Sequence, residues 1–286
     1  MQLGVTTLIN MLVLSSMYIL VALGFVFLFN IMGILNFAHG VIYMVGGYIC
    51  FQFAVGFGLN IWLALVLTVA VVSCLGLFLE RFCFGPFFRD LNFTIVICIG
   101  IILVLENAVN MTVGTSTRSI PAFVPGILKA GIISLSLQRL ITFIIGGALL
   151  VITLWFFRST KLGQQMQAAS QNLEGAALQG ISIHRVSAIA CAIACGLAAL
   201  AGCLMGAYLN LTPFMGDDML IKVLEILILG GIGSISGTVF AGLIIGSLDA
   251  VLPLFISGAA SQAVALGVII VILLFRPQGF FGREVS

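Results

Sequence analysis

Asn36-Phe37-Ala38-His39-Gly40 brings an amide, an imidazole and a glycine together between two long apolar runs. The runs cover about 7–29 and 31–57, and each is close to the roughly 20 apolar residues that cross a bilayer as a helix. At membrane depth, polar groups are tolerated where they face protein or a water-filled cavity. The pentapeptide therefore fits either a discontinuous helix that lines a pathway or a short turn at the membrane face.

A second glycine-rich stretch, Leu229 to Gly237, also lies between apolar runs. A backbone so rich in glycine can unwind or pack closely against a neighbour. It is not a nucleotide-binding loop, because no Lys-Ser or Lys-Thr follows it. The sequence also contains no Gly-x-Ser-x-Gly elbow, no His-Glu-x-x-His helix and no paired-carboxylate site. We therefore predict a non-enzymatic chain without catalytic residues, a metal site or a bound cofactor.

Composition defines the class of protein. Of the 286 residues, 62% are hydrophobic and 7% are charged, which identifies a polytopic integral membrane protein. The formal charge of +2 gives no indication of nucleic-acid binding. The seven cysteines fall mostly in apolar runs and are interpreted as small buried hydrophobes, the alternative being a metal or redox site. The first run lacks a basic leader and is interpreted as a retained span.

Apolar segments predict an all-α membrane domain of eight or nine spans that occupies residues 1–286. The nine candidates lie near 7–29, 31–57, 60–79, 91–113, 138–157, 187–210, 219–233, 237–256 and 261–275. The segment after Asp218 is the shortest, at about 15 residues, and could instead be re-entrant.

The distribution of positive charge predicts the orientation. If 158–186 is cytoplasmic, the inner side carries Arg81, Arg89, Arg158, Lys161, Arg185, Arg276 and Arg283. The outer side then carries Arg118, Lys129, Arg139 and Lys222. The positive-inside rule therefore places the N-terminus outside and the C-terminus in the cytoplasm.

Two hydrophilic segments interrupt the apolar pattern. Residues 114–137 contain two prolines and several Ser and Thr, which predicts a loop with room for a short surface helix. Residues 158–186 are rich in Ala and Gln and nearly uncharged between Gly163 and Gly180, which favours one surface helix. That helix could dock against another protein or could be an ordinary loop helix.

Four motifs, in order along the chain, resemble those of permeases in branched-chain amino acid ABC transporters. They are Gly33-Ile34-Leu35-Asn36-Phe37-Ala38-His39-Gly40, the segment from Leu162-Gly163 to Gly180-Ile181, Leu229-Gly230-Gly231-Ile232-Gly233-Ser234, and Arg276-Pro277-Gln278-Gly279. Each motif alone is weak, but the four occur in the family's order and are spread along nearly the whole chain.

The resemblance implies one of two homologous permease subunits in the bacterial inner membrane. Two cytoplasmic ATPase subunits, which bind ATP and Mg, and an extracytoplasmic solute-binding protein would complete the importer. ATP-driven motion would reach the spans through a coupling segment at about 158–186. The implied coupling residues are Gly163, Gln164, Ala168, Asn172, Glu174, Ala176 and Gly180.

The same resemblance implies a translocation pathway or gate in the spans. Its candidate residues are Asn36, His39, Gly40, Glu225, Gly230, Gly231, Gly233 and Ser234. We expect bulky replacements at Gly231 or His39 to impair uptake while leaving assembly intact.

Some positions depart from the family pattern. Glu225 stands where an apolar residue is expected, and an ionisable side chain in a span is a functional candidate. Pairing with Lys222 on the same helical face is an equally good structural explanation. Glu106 and Asp249 also fall within spans, and relatives favour a packing or interface role at Asp249. Ser236 replaces an expected proline.

Three functions remain open. The first is import of leucine, isoleucine, valine or another small amino acid. The second is the same machinery for urea or a short amide, because cargo selection in such systems lies largely with the binding protein. The third is an ion-coupled secondary carrier, which the amide-rich inner segment and the shortage of membrane-embedded charge disfavour.

Overall fold

The computed structural model describes residues 2–87, 90–130 and 133–282, which fold as an all-α bundle with one β-hairpin. The helices are α1 Gln2–Met32, α2 His39–Phe51, α3 Ile61–Leu79, α4 Leu91–Val113, α5 Leu137–Ser159, α6 Lys161–Gln171, α7 Leu173–Leu178, α8 Ile183–Tyr208, α9 Met215–Gly230, α10 Ile235–Val251 and α11 Gly258–Phe275. The strands are β1 Ile127–Ala130 and β2 Ile133–Ser136. Short π-helical or 3-10 turns continue α2, α3 and α10 to Gly56, Phe87 and Leu254.

The prediction of a polytopic helical membrane protein is confirmed. Within the described ranges, seven helical stretches are long and apolar enough to cross a membrane: 4–32, 39–56, 61–87, 92–113, 137–159, 183–208 and 235–254. The apolar part of α11, Ala260–Phe275, is shorter. α9 has 16 residues, and four of them are charged. Each predicted apolar segment thus corresponds to a helix, whereas Arg89 and Arg283 lie outside the described residues.

α1 is the central helix, and most of its length is buried by its neighbours. It runs antiparallel to α10, with Gly242 against Ile19 and Gly246 against Ser15. These glycines let the two backbones approach closely where lipid provides no hydrophobic force between helices. We call the end of the bundle where α1 and α5 end and α8 begins the α6 face, because α6 lies across it. The other end is the opposite face.

Two parts of the chain repeat the same architecture with inverted direction. In α1–α3 and again in α8–α10, a long helix is followed by a six-residue non-helical connection, a shorter helix and a third helix. The connections are 33–38 and 209–214. α1 and α8 are antiparallel, because Tyr208 donates to Asn10 near one end (3.1 Å) and Gly24 meets Ala194 further along. Inverted repeats of this kind are common in transporters.

α2 begins deep inside the bundle. Its first residue, His39, contacts the carbonyl of Val21 at 3.1 Å. Val21 precedes the end of α1 at Met32 by roughly 16 Å of helix, at about 1.5 Å per residue. The connection 33–38 therefore returns from the α6 face to the level of the middle of α1. Of the two sequence interpretations, the structure supports the discontinuous helix rather than a turn at the membrane face.

The starts of the two inverted helices α2 and α9 pack against each other. A Cβ atom on Gly40 would overlap the carbonyl oxygen of Gly216. Conversely, a Cβ atom on Gly216 would lie 2.9 Å from the Gly40 oxygen and 3.1 Å from the Cα of Val41. Each glycine is the second residue of its helix, so the contact is nearly symmetric and leaves no room for a side chain.

The connection between α4 and α5 differs from its prediction. It contains the antiparallel β1–β2 hairpin, with Ile127 paired to Ser136, instead of a short helix. Arg118 forms a separate two-bond bridge with Leu211, which ties this connection to 209–214. The β1–β2 pairing and the distant bridge to Leu211 therefore satisfy backbone N–H and C=O groups that a surface helix would have satisfied internally.

The Gly40–Gly216 contact predicts a sharp steric effect. We expect Gly40→Ala to destabilise the protein by about 1–3 kcal/mol, because the new methyl group meets backbone that cannot move independently. The measurement is the Tm of the purified chain in detergent. Gly147→Ala, in α5, is the control, because its new Cβ meets no atom within 4 Å. Equal Tm values for the two variants would contradict the close contact.

Candidate functional site

Asn36 organises the turn that precedes α2. Its side chain is fully buried, and its Oδ1 accepts a hydrogen bond from the backbone N–H of Ala38 at 3.1 Å. The Cys98 thiol on α4 lies 3.6 Å from the same oxygen. Among the described residues, Asn36 Nδ2 has no hydrogen-bond partner. The amide therefore links the interrupted segment to α4 while one polar group stays unpaired.

His39 attaches the start of α2 to α1. The ring is fully buried, stands edge-on to Phe25 and lies 3.2 Å from the position that a Cβ on Gly24 would occupy. Since a carbonyl can only accept, the Nε2 that faces Val21 must carry the proton. Within the described ranges Nδ1 has no partner.

Burial changes what substitutions at these positions can report. His39 has no exposed surface. Gly231 has a φ of +94°, and a Cβ there would collide with Gly282. A bulky side chain at either position would have to displace packed backbone or core, so loss of uptake in such a variant would not separate transport from folding. Milder substitutions are needed to test transport.

Lys222, Glu225 and Asp249 form a buried charge cluster between α9 and α10. The Lys222 Nζ lies 3.0 Å from Asp249 Oδ1 and 3.4 Å from Glu225 Oε2. Tyr18 on α1 donates a 3.0 Å hydrogen bond to the other Asp249 oxygen. The pairing of Glu225 with Lys222, one of the two sequence interpretations, is present, and Asp249 adds the second carboxylate that sequence reasoning had kept separate.

The cluster also corrects the count of positive charges assigned to the outer side. Lys222 had been counted among the outer charges, but its residue is only 9% exposed and lies within α9. A lysine neutralised by two carboxylates inside a bundle contributes nothing to a loop-charge bias. The link to Asp249 spans 27 residues, and only the antiparallel packing of α9 on α10 creates it.

The glycine-rich stretch forms a tight turn between α9 and α10 at the α6 face. α9 ends at Gly230, and Gly231 and Gly233 adopt positive φ of 94° and 86°. A Cβ on Gly230 would lie 2.5 Å from the carbonyl of Gly237, so the two helix ends touch through backbone. The stretch is thus both non-helical and closely packed.

Polar contacts fix this turn to α1 and to the C-terminal segment. Ser234 caps α10 by accepting from the N–H of Gly237 at 3.0 Å. Asn30, near the end of α1, donates to the carbonyl of Gly233 at 2.9 Å. Phe280 and Phe281 donate backbone N–H groups to the last carbonyls of α9, at 2.9 and 3.1 Å. Movement of the turn must therefore involve α1 and residues 276–282.

The coupling segment is two helices rather than one. α6 begins at a Thr160 cap that accepts from Gly163, and it ends before Asn172. Asn172 adopts an extended conformation, and its side chain accepts from the N–H of Gly175 at 2.9 Å, which starts α7. An asparagine that satisfies a backbone donor in this way competes with a continuous helix. The single-helix prediction was wrong at this residue.

The predicted coupling residues divide between two surfaces. Gly163 packs against Phe157 of α5 and is buried, as is Ala176, while Ala168 is half-buried. Gln164, Asn172, Glu174 and Gly180 are exposed. Leu178, which lies between Glu174 and Gly180 and which sequence reasoning did not single out, is 89% exposed. The outer surface of α6 and α7 is therefore open to a partner.

α6 faces the glycine turn across a polar cavity of about 770 Å³. Gln167 and Ser170 of α6 line one side, and residues 232–236 with Asn30 line the other. The structure thus brings the candidate coupling segment and the glycine turn together at the α6 face. Asn36, His39 and Gly40 lie deeper in the bundle, and Glu225 belongs to the separate charge cluster.

The charge cluster predicts unequal effects on stability. We expect Lys222→Met to destabilise the protein by about 3–5 kcal/mol, because it leaves two buried carboxylates without a counter-charge. Glu225→Gln keeps the Lys222–Asp249 pair and should cost clearly less. Detergent-solubilised yield and Tm measure both variants. A smaller loss for Lys222→Met than for Glu225→Gln would contradict the arrangement.

Comparison with known proteins places these features in one family. Residues 7–273 match the model described as "Branched-chain amino acid transport system / permease component". The chain is 30% identical to the high-affinity branched-chain amino acid transport system permease protein LivH of Escherichia coli, over 96% of this chain and 94% of the relative.

Two further relatives agree. The permease protein BraD of Pseudomonas aeruginosa is 31% identical, over 96% of this chain and 95% of its own length. A probable branched-chain amino acid transport permease protein of Methanocaldococcus jannaschii is 25% identical over 94% and 90%. With an inverted-repeat helical bundle and a family match over nearly its whole length, the chain belongs to the permease component family of branched-chain amino acid transport systems.

Proposed function

We propose that this chain is the membrane-spanning permease subunit of a binding-protein-dependent ABC importer for branched-chain or other small amino acids. The observation that carries the proposal is the position of α6 across the polar cavity from the glycine turn, in a chain of this family. The surface open to a partner belongs to a segment that packs directly on three membrane helices, α1, α5 and α8.

Four partners complete the importer in this proposal. A second homologous permease forms the pathway together with this chain. Two ATPase subunits, which bind ATP and Mg, dock on the α6 face of this chain. A solute-binding protein delivers cargo at the opposite face. Residues 1–286 act as one transmembrane domain, and neither cofactor nor nucleic acid binds to them.

The same arrangement supports an orientation in the membrane. The α6 face is cytoplasmic, since the ends of α3, α5 and α11 and the start of α8 place Arg81, Arg158, Lys161, Arg185 and Arg276 there. This excess of positive charge supports the assignment. The N-terminus is then outside, the C-terminus is in the cytoplasm, and the membrane is the bacterial inner membrane.

Coupling proceeds by rigid-body motion. Closure of the ATPase dimer displaces the exposed surface formed by Gln164, Asn172, Glu174 and Gly180. The buried contact of Gly163 with Phe157 passes this displacement to α5. The packing of α6 on α1 passes it to the glycine turn, because Asn30 of α1 bonds Gly233, and from there to α9 and α10. This displacement biases the bundle between two packed states.

Asn36 and His39 act in the gate through position rather than through contact with solute. Both are fully buried, so neither offers a surface to the pathway within this chain. They determine where α2 starts and therefore where Gly40 meets Gly216. The glycine turn with Gly230, Gly231, Gly233 and Ser234 is the second place where the helices can move, after the Gly40–Gly216 contact. Glu225 belongs to the charge cluster on α9, which lies between these two places.

The assembled complex distinguishes this function from its alternatives. ATPase activity in proteoliposomes should rise with a binding protein loaded with leucine, isoleucine or valine. Stimulation by urea or a short amide alone would assign another cargo to the same machinery. Uptake that an uncoupler abolishes and ATP depletion leaves intact would overturn the importer function in favour of an ion-coupled carrier.

Leu178 provides a direct test of the coupling surface. We expect Leu178→Ser to reduce ATPase co-purification and solute-stimulated ATP hydrolysis at least severalfold, because it removes a large apolar side chain from the exposed end of α7. Ile127→Ser is the matched control, since Ile127 is 63% exposed in the hairpin between α4 and α5. If the Leu178 variant co-purified with as much ATPase subunit as the unmodified chain, the end of α7 would be excluded from the interface.

A further inference from the structure

A cavity of about 260 Å³ lies among α1, α2, α8, α9, α10 and α11, on the side of the bundle near the end of α8. Its charged and phenolic lining consists of Tyr18, Tyr43, Asp218, Lys222 and Asp249. Met205, Met215 and Met219 supply apolar wall. It is separate from the cavity at the α6 face and adjoins the 209–214 connection that precedes α9.

Tyr43 has an unpaired hydroxyl in this cavity. The residue is only 3% exposed, and no hydrogen bond to its hydroxyl is found in the described part of the chain. Tyr18, on the same cavity, uses its hydroxyl to bond Asp249. The Tyr43 hydroxyl is not one of the fully buried unpaired polar atoms of the described chain, so it opens onto the internal space, where it can bond a molecule that enters.

The charges supply complementary groups for a molecule that carries both signs. Lys222 donates a hydrogen bond to Asp249 and makes an ion pair with Glu225, whose Oε2 accepts no hydrogen bond in the described chain, so at least one lysine donor is free. Asp218 makes no ion pair within residues 2–87, 90–130 and 133–282. The Tyr43 hydroxyl and the remaining lysine donor suit a carboxylate, and Asp218 suits an ammonium group.

The apolar wall suits aliphatic groups of varied shape. Methionine is unbranched and flexible, so a surface with three methionines adapts to different small side chains. Urea and simple amides carry neither a carboxylate nor an ammonium group, so they cannot pair by charge with the free Lys222 donor or with Asp218. The lining thus favours an α-amino acid over the alternative solutes.

We infer that this cavity is a transient binding site for the zwitterionic head of a small neutral amino acid, with its side chain against the methionines. The inference rests on the proposed transport function and adds a solute site within this permease. Tyr43 and Lys222 bind the carboxylate, and Asp218 binds the ammonium group.

Equilibrium binding of radiolabelled L-leucine and L-isoleucine to the purified permease–ATPase complex, without the binding protein, tests the site. Tyr43→Phe should weaken binding about tenfold or more, because it removes a hydrogen bond to a charged group. Tyr48→Phe is the matched control. Tyr48 is also on α2 and 3% exposed with an unpaired hydroxyl, but it does not line the cavity. The Tyr48→Phe complex should bind leucine and isoleucine as the unmodified complex does.

A second matched pair tests the ammonium contact. Asp218→Asn should weaken binding by a similar factor, and Asp217→Asn should not, because both side chains are exposed but only Asp218 lines the cavity. Leucinamide, which lacks the carboxylate, and 4-methylpentanoate, which lacks the ammonium group, should compete at least about tenfold less well than leucine.

The outcomes separate this site from the function of the protein. No leucine or isoleucine binding by a complex that imports either solute would overturn the site and leave the function intact. Equal affinities for the Tyr43 and Tyr48 variants, or equal competition by leucinamide, would also overturn it. An intact importer that transports urea and no amino acid would overturn the proposed function itself.

Discussion

The backbone contact between Gly40 and Gly216 is the constraint on which the centre of this permease depends. It joins the starts of two helices that belong to opposite halves of an inverted repeat. Because both residues lack a side chain, the helices meet through backbone and main-chain carbonyls. The depth at which α2 and α9 begin is therefore set by steric exclusion.

Once that contact is made, several other features have little freedom. α2 can start beside the middle of α1 only if residues 33–38 turn back from the α6 face, and Asn36 stabilises that turn with its side-chain bond to Ala38. His39 must then lie against Val21 in a space that Gly24 leaves open. Asn36 and His39, the polar residues of the family motif, thus hold the backbone in position within this chain.

The sequence predicted the class of fold and the location of the helix breaks, because composition and glycine content are local properties. It could not predict the depth of the first break, since that depends on Gly216, far along the chain. The Lys222–Asp249 pair was missed for the same reason. The division at Asn172 did carry a local signal, a capping asparagine followed by Gly175, but the helix-forming composition around it outweighed that signal.

α9 connects the features that the proposed mechanism requires. Its start contacts α2 at Gly40, its middle carries Lys222 and Glu225, and its end enters the turn held by Asn30 and the C-terminal segment. A helix with backbone contacts at both ends moves as a rigid element, so displacement of the turn reaches the charge cluster without local unfolding. Because Asp249 is held by Tyr18 of α1, such a displacement must alter the distance between Lys222 and Asp249 or carry α10 along. The cavity beside this pair changes shape in either case, so in the proposed mechanism motion at the α6 face and the affinity of the proposed amino acid site are linked through α9.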